Sequence, residues 1–270
     1  MTPVKTPTKS FASMLFVVAV IHSGPLASGA WTTTSWIDDN SLSFINTSTT
    51  WTHKVEVVPQ GTAVADGAAI PFLVGGGVTI NGVTFDGLQT NSSGNTFVDN
   101  PSSVAGTNFT ISLGIANSTS NFFYNGVAAE PSSGTASTAL KTGLFAANNP
   151  GGTSEIALTG LAANTDYSFY YFNANWSDSA RGGTIDGSDD GFGTNAFTLD
   201  QSGLNRDAQI VRYDYNTGAE TSITFRLING SGGGIHNYGF MNAVSSIPEP
   251  SSLAFLGLST LGLIFRRRPQ

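Results

Sequence analysis

The sequence predicts an all-β fold, a β-sandwich or jelly roll with one short capping helix. The chain holds 32 Gly and only 11% charged residues, against about 25% in an average soluble domain. Ser, Thr and Asn are abundant, and they compete with the helical backbone for hydrogen bonds. Short apolar runs recur between turn residues. Asn81-Gly82 separates two such runs, and this dipeptide is the preferred two-residue hairpin loop.

Short strands account for most of the predicted body. The hairpin pairs residues 78–80 with 83–85. Further strands are predicted at residues 51–58, 108–113, 121–124, 155–158, 167–173, 196–199, 209–215, 222–228 and 238–244. The run from Tyr167 to Phe172 is apolar on both faces apart from Ser168, which predicts a central strand that is covered on both sides.

A single helix is predicted at residues 135–147. Ala139, Leu140, Leu144 and Phe145 would form its apolar stripe, and we expect it to cap one end of the sandwich. The predicted organisation is a signal peptide at 1–30, an extracellular β-sandwich domain at 31–247 and a sorting tail at 248–270.

The first 30 residues have the pattern of a secretory signal. Lys5 and Lys9 precede an apolar stretch at 11–21, and Ser28-Gly-Ala30 supplies small residues for signal peptidase. The mature protein is therefore expected to begin near Trp31. The alternative is a buried N-terminal helix.

The other end combines three elements in a fixed order. Pro248, Glu249 and Pro250 precede an apolar run at 253–265, and Arg266, Arg267 and Arg268 follow it. Thirteen helical residues span about 20 Å, which is short of a hydrocarbon core of about 30 Å. We therefore expect transient membrane insertion, with the arginines inside and residues 31–250 outside. The alternative is a permanent tail anchor.

This ordered tail resembles the PEP-CTERM sorting signal of Gram-negative bacteria. The resemblance implies recognition by the membrane enzyme exosortase, with a cut near Pro248, Glu249 and Pro250. It also implies export to the cell surface through an inner-membrane stage. Proteins with this signal usually accompany exopolysaccharide production, so extracellular polysaccharide is an expected partner.

The body carries a looser set of resemblances. The run from Leu158 to Tyr167 resembles the Leu-x-Gly-Leu-x-x-x-Thr-x-Tyr corner of fibronectin-type sandwiches, in which the tyrosine bonds to nearby backbone. Together with Trp176, Arg181 and a segment beginning at His236, the run resembles the bodies of uncharacterised PEP-CTERM proteins. Their sandwiches look like carbohydrate-binding jelly rolls, which implies no particular activity.

Charge and composition exclude several classes of function. Between Trp31 and Pro250 lie six basic residues and all 18 acidic ones, a net charge of −12, so nucleic acid is not an expected partner. The chain has no cysteine, which excludes disulfides and thiolate sites.

Motifs for catalysis are lacking. His53 and His236 are the histidines left after signal removal, and no His-Glu-x-x-His, Gly-x-Ser-x-Gly or P-loop motif is present. The run from Gly191 to Ala196 matches a dinucleotide fingerprint in letters, but we interpret it as a turn. We predict no catalytic residues and no enzyme. A glycan-processing enzyme that uses a carboxylate pair is the weakest alternative.

A metal site is one of two interpretations of the run Asp186-Gly-Ser-Asp-Asp-Gly191. Asp186, Ser188 and Asp190 have the alternating oxygen spacing of a calcium loop. Phe197 stands where an EF-hand needs Glu, so the run is not an EF-hand. The other interpretation is an acidic hairpin turn. No cofactor other than Ca²⁺ is expected.

A sugar-binding platform is the candidate site for a carbohydrate-binding module. Trp176, Arg181, His236 and Tyr238, with Tyr171, could stack on and hydrogen-bond a saccharide. The alternative is that these residues pack at the rim of the sandwich. We therefore predict a non-catalytic surface protein that works in extracellular polysaccharide, with a carbohydrate-binding module as the second hypothesis.

Overall fold

A computed structural model describes most of the body of the chain. The described residues are 29–57, 77–87, 92–93, 96–97, 103–113, 123–127, 131, 134–140, 142–147, 151–175, 181–202, 208–230 and 234–245. The predicted signal peptide up to residue 28 and the sorting tail lie outside them.

Strands dominate the described residues. The first ten are β1 (Ala30–Trp36), β2 (Trp51–Glu56), β3 (Thr79–Ile80), β4 (Val83–Thr84), β5 (Asp86–Gly87), β6 (Ser92–Ser93), β7 (Thr96–Phe97), β8 (Ser103–Gly106), β9 (Phe109–Leu113) and β10 (Phe123–Val127). The others are β11 (Thr142–Ala147), β12 (Thr153–Thr159), β13 (Asp166–Asn173), β14 (Gly182–Gly187), β15 (Phe197–Asp200), β16 (Ala208–Asn216), β17 (Ser222–Asn229), β18 (Ile235–Asn237) and β19 (Phe240–Val244). Among these residues the one α-helix is α1 (Thr135–Leu140), and 3-10 turns lie at Asp39–Leu42 and Ser188–Asp190.

Two six-stranded sheets face each other. The first has the order β1-β16-β13-β19-β2-β5, and the second has the order β15-β14-β17-β12-β9-β8. Neighbouring strands are antiparallel except for β2 and β5. The rings of Phe169 on β13 and Phe225 on β17 stack with their centroids 3.8 Å apart. This contact joins the two sheets, so the predicted all-β, sandwich-like fold is confirmed.

Alternation along the strands builds the core between the sheets. Phe169 and Tyr171 on β13 are fully buried, as are Ile156 on β12 and Phe225 on β17. β13 lies between β16 and β19 in its sheet, and most of its residues on both faces are buried. The prediction of a central strand covered on both sides is therefore confirmed.

The predicted helix at 135–147 is wrong over its second half. Residues 142–147 form β11, which pairs with β10 on one side and β18 on the other in a third sheet of order β18-β11-β10-β7-β6. A strand between two partners satisfies its backbone polar groups on both edges. Thr142 and Gly143 are also poor helix formers. Residues 142–147 therefore pair as a strand, although their apolar spacing predicted a helix.

The short helix α1 packs on the outer face of the first sheet. Trp36 donates its indole N–H to Ser137 Oγ at 3.0 Å, and its ring contacts Phe172 at 5.4 Å between centroids. Phe172 and Phe169 point to opposite faces of β13 because strand side chains alternate. The Asp39 carboxylate accepts the N–H of Ser137 at 2.8 Å. The helix therefore covers a face of the sheet, where the sequence predicted a cap over one end.

Two turns follow the sequence prediction closely. Asn81 and Gly82 have φ of 50° and 81° and join β3 to β4, as a two-residue hairpin loop requires. At the tyrosine corner, Tyr167 Oη accepts the N–H of Ala162 at 2.9 Å. This bond holds the segment before β13 against the start of that strand, and the predicted corner is confirmed.

Two long strands were missed. β14 is rich in glycine, and β1 begins at Ala30, at the predicted end of the signal peptide. Ala30 pairs with Asp214 of β16.

No helix among the described residues is long and apolar enough to cross a membrane.

The contact between Phe169 and Phe225 makes a prediction about stability. Replacing Phe225 with Ala should lower the free energy of unfolding by about 3–5 kcal/mol, because burial is lost and a cavity remains. Chemical denaturation followed by circular dichroism measures this change.

The matched control is Ile37→Ala. Ile37 is 62% exposed, so its truncation should change stability by less than about 0.5 kcal/mol. Similar losses in the two variants would contradict the role of the inter-sheet contact.

Candidate functional site

The acidic loop, residues 186–193, lies in the hairpin connection between β14 and β15. These strands are antiparallel partners, with Ile185 opposite Phe197. The run from Gly191 to Ala196 is irregular and leads into a strand, so its interpretation as a turn is confirmed. The interpretation of the acidic run as a hairpin turn also agrees with the structure.

Hydrogen bonds close the acidic loop on itself and fix it to the second sheet. Asp186 is only 2% exposed, and its Oδ2 accepts the N–H of Gly193. Ser188 Oγ accepts the N–H of Thr224 on β17 at 2.9 Å. Asp186 and Gly193 therefore meet across the loop, and residues 187–192 form a small closed ring.

Residues of the first sheet also form hydrogen bonds with the β14–β15 connection. Trp31 on β1 donates its indole N–H to the Asn195 carbonyl at 2.6 Å, and the Asn195 side chain donates to the Gly29 carbonyl. Tyr213 on β16 donates its hydroxyl to the Asp189 carboxylate, with distances of 3.0 and 2.9 Å to the two oxygens. The hairpin connection thus bridges both sheets at one end of the sandwich.

Phe192 sits in a conformation that large side chains rarely adopt. Its φ is 64°, between Gly191 at 88° and Gly193 at 86°, and positive φ is unfavourable for a bulky residue. The guanidinium carbon of Arg226 lies 4.0 Å from the centre of the Phe192 ring. This cation–π contact offsets part of the backbone strain, and it fixes the fold of the loop over β17.

Burial dominates the electrostatics of Asp189. Its pKa is raised, first because the carboxylate is partly removed from water and also because Asp190 is negatively charged nearby. The hydrogen bond from Tyr213 acts in the opposite direction and lowers that pKa. The pKa of the Tyr213 hydroxyl is raised by burial and by the charge of Asp189, so Tyr213 remains a hydrogen-bond donor.

Three carboxylate oxygens in the acidic loop are buried without a hydrogen bond from the described part of the chain. They are Oδ1 of Asp186 and both oxygens of Asp190. The described residues contain no group of three or more His, Cys, Asp or Glu side chains placed to hold a metal ion. Any cation here would therefore need ligands beyond carboxylates, such as hydroxyl, carbonyl or water oxygens.

A cavity of about 320 Å³ opens beside the acidic loop. Its wall includes Ser188, Asp189 and Asp190 of the loop, Asn216 at the end of β16, and Glu220 of the β16–β17 turn. The carboxylates make this cavity electronegative, so it favours positively charged or hydroxylated solutes over anions.

The predicted sugar platform is not an open surface in this structure. His236 and Tyr238 are 0% exposed, and their rings stack on each other at 5.7 Å between centroids. Tyr171 is also fully buried and donates its hydroxyl to the His236 carbonyl at 2.6 Å. Arg181 is partly exposed, and Trp176 lies outside the described residues. The alternative interpretation of rim packing therefore fits His236 and Tyr238 better.

A different set of aromatic residues reaches the surface. The outer aromatic cluster consists of Phe44, Trp51 and Tyr170, all partly exposed. Phe44 stacks on Tyr170 at 4.9 Å between centroids, and Trp51 meets Tyr170 edge-on at 5.8 Å. Tyr170 points away from Phe169 along β13, so the cluster lies on the outer face of the first sheet.

Polar and charged groups border this cluster. Arg212 on β16 pairs in register with Tyr170, and its guanidinium carbon lies 5.7 Å from the Tyr170 ring centre. Arg212 Nε donates to Asp214 Oδ1 at 2.8 Å, and Ser168 Oγ donates to the same oxygen at 2.5 Å. Aromatic faces beside an Arg–Asp pair are chemically suited to sugar rings and hydroxyls.

The sequence contains only a weak signal for this cluster. Phe44, Trp51 and Tyr170 are far apart in the chain, and strand pairing brings Trp51 and Tyr170 together through β19. The alternation of β13 shows that Tyr170 faces away from Phe169, but it does not show what covers that face.

Comparison with known proteins identifies the C-terminal segment. Residues 246–268 match the model of the PEP-CTERM protein-sorting motif. No curated protein and no solved structure matches the chain. The chain therefore carries a PEP-CTERM motif, which implies export, sorting to the cell surface and processing by exosortase. Pro248, Glu249, Pro250 and Arg266 to Arg268 fall inside the matched segment and outside the described residues.

The contact between Tyr213 and Asp189 makes a prediction about pH. Because burial raises the pKa of Asp189, ionisation of this carboxyl as pH rises through that pKa costs folding stability. The Tyr213 hydroxyl offsets part of the cost by donating to the anion. In Tyr213→Phe we therefore expect a stability deficit of about 1–2 kcal/mol at neutral pH. The deficit should shrink as pH is lowered to about 4, because the raised pKa of Asp189 favours its neutral form there and the hydroxyl then has less negative charge to stabilise.

Tyr215→Phe is the matched control, measured by denaturant unfolding at both pH values. Tyr215 donates to the neutral amide oxygen of Asn242 at 3.1 Å, so its deficit should not change with pH in this range. A Tyr213→Phe deficit that is the same at both pH values would show that the hydroxyl does not stabilise the anion.

Proposed function

We propose that this protein is a non-catalytic surface protein that exosortase releases into an extracellular polysaccharide matrix. The PEP-CTERM motif at residues 246–268 carries this proposal. In a Gram-negative cell the tail would pause in the inner membrane, and exosortase would cut near Pro248, Glu249 and Pro250. The folded body would then remain outside the cell.

The residues of the tail suit a temporary membrane segment that a processing enzyme removes. Pro248 and Pro250 lack backbone donors and disfavour helix, and a non-helical segment is what a processing enzyme can bind and cut. The apolar run of 13 residues is too short to hold the membrane well, and the arginines orient it with the body outside.

The body has properties that suit a hydrated matrix. It is acidic, and its described residues form a sandwich without cysteine. Net negative charge keeps such a protein soluble and separate from anionic surfaces. Hydrogen bonds from both sheets hold the loop at one end of the sandwich.

Replacing Pro248, Glu249 and Pro250 together with alanine should block processing. We expect the wild-type protein at the cell surface to begin near Trp31 and to lack residues 253–270, while the variant keeps Arg266 to Arg268 and stays in the membrane fraction. Intact-mass spectrometry of both fractions measures this.

The matched control replaces the neighbouring Ser251 and Ser252 with alanine, which should leave processing unchanged. A second control deletes exosortase, which should retain the wild-type protein in the same way as the triple variant. A wild-type surface form that still carries Arg266 to Arg268 would identify the tail as a plain anchor.

A carbohydrate-binding module is the second candidate function, and the outer aromatic cluster favours it. Phe44, Trp51 and Tyr170 form a partly exposed patch beside the paired Arg212 and Asp214. Sugars present apolar C–H faces and polar hydroxyls, and this patch offers a partner for each.

If the patch binds polysaccharide, Trp51→Ala should weaken retention by the host's exopolysaccharide. Loss of one stacking ring is worth about 0.5–1.5 kcal/mol, or roughly 2–10-fold in affinity. Affinity electrophoresis of the exported protein in gels that contain the polysaccharide measures the effect.

Phe197→Ala is the matched control, because Phe197 is a partly buried aromatic residue on the second sheet that contacts Trp31 instead. Equal retention of wild type, Trp51→Ala and Phe197→Ala would eliminate the cluster as the binding surface.

A further inference from the structure

Buried negative charge without a partner is the main unexplained feature of the acidic loop. Only 2% of the surface of Asp186 is exposed. Its Oδ1 receives no hydrogen bond within the described part of the chain. Both oxygens of Asp190 are likewise inaccessible and accept no hydrogen bond from those residues. Buried carboxylate oxygens without a partner are costly, and a bound cation would supply the partner that these oxygens lack.

The loop places these oxygens in one small ring. The N–H of Gly193 bonds to Asp186 Oδ2, which closes residues 187–192 against the Asp186 carboxylate. Asp190 lies within that ring, on the 3-10 turn Ser188–Asp190. Oδ1 of Asp186 belongs to the same carboxylate that closes the ring, and the Asp190 oxygens belong to the turn that this ring encloses.

Nearby arginine does not supply the missing charge. Arg226 is the register partner of Asp186 across β14 and β17. Its Nε donates to Glu155 Oε1 at 2.8 Å, and its guanidinium lies over the Phe192 ring. Arg226 is therefore already bonded to one carboxylate, while Asp186, Asp189 and Asp190 add three more in the loop.

We infer that the acidic loop binds a calcium ion, with Asp186 and Asp190 as carboxylate ligands and the Ser188 hydroxyl beside them. Calcium takes six to eight oxygen ligands, including hydroxyls, backbone carbonyls and water. Two carboxylates and other oxygens therefore suffice, which agrees with the lack of a cluster of three acidic or histidine side chains among the described residues. Ser188 Oγ accepts one hydrogen bond, from Thr224, and keeps a second lone pair.

The surroundings supply an entry path and a preference for cations. Ser188, Asp189 and Asp190 line the cavity beside the loop, and Glu220 of the β16–β17 turn also lines it. A cation would reach the loop through this electronegative opening. With two carboxylate ligands the affinity belongs to the weak range of extracellular calcium modules, with Kd of roughly 10⁻⁴–10⁻³ M.

The first test is calcium-dependent melting of the exported protein, stripped with chelator and dialysed. Calcium at about 100 times Kd should raise Tm by roughly 5–10 °C, because it binds the folded state alone. Magnesium at the same concentration should raise Tm less, because it needs stricter octahedral geometry. No rise with calcium, or an equal rise with magnesium or with sodium chloride of matched ionic strength, would overturn the assignment.

Carboxylate-to-amide variants test which residues hold the ion. Asp190→Asn should melt at or above the wild-type Tm in chelator, because it no longer buries an unpaired charge, and below the wild-type Tm in saturating calcium. Asp186→Asn should also lose most of the calcium-dependent shift. Glu220→Gln removes the same charge from a different part of the cavity lining, in the β16–β17 turn, and should keep the shift. A Tm loss in Asp190→Asn that is the same with and without calcium would mean that the carboxylate is structural.

A terbium measurement on the wild-type protein keeps the proposal testable if the variants do not fold. Tyr213 bonds to Asp189 next to the proposed site, so excitation of tyrosine should sensitise Tb³⁺ emission. Added calcium should displace that emission in the same concentration range that raises Tm. Emission that calcium does not displace, or no sensitised emission at all, would overturn the proposal.

Discussion

The stacked pair of Phe169 and Phe225 is the contact on which the rest of the structure depends. It joins the two sheets at a ring separation of 3.8 Å, and other aromatic rings extend it in both directions. Tyr213 and Trp31 continue the contacts toward the acidic loop, and Phe240 and Phe109 continue them away from it. Because packed aromatic rings tolerate little displacement, this row fixes how the strands of one sheet lie over those of the other.

The position of the acidic loop at the end of the sandwich follows from that packing. Tyr213 belongs to the aromatic row and also bonds to Asp189, so the core positions the acidic loop directly. Trp31 has the same double role through its bond to the Asn195 carbonyl. In a chain without cysteine, such bonds between core side chains and a loop take the place of covalent cross-links. They allow the loop to bury carboxylates that a mobile loop would leave in water.

Strand β13 contributes residues both to the core and to the outer face of the first sheet. Phe169 and Tyr171 on β13 belong to the core, and the intervening Tyr170 points outward to Phe44 and Trp51. The core residues set the register of β13 against β16, and that register places Arg212 beside Tyr170. An outer surface with defined chemistry is thus a consequence of inner packing. In a protein that carries a surface-sorting motif, such an outer face is turned toward the surroundings and not toward the core.

The sequence by itself determined the features that depend on neighbouring residues. The Asn81-Gly82 turn, the Tyr167 corner, the two-sided strand β13 and the PEP-CTERM motif all follow from local backbone preference or a short ordered pattern. Tertiary structure decided the features that depend on distant pairing. Residues 142–147 became a strand because β10 and β18 supplied partners on both edges. His236 and Tyr238 became buried, and Trp51 met Tyr170, for the same reason. Strand pairing joins residues far apart in the chain, and the free energy of that pairing is not encoded in any short window of sequence.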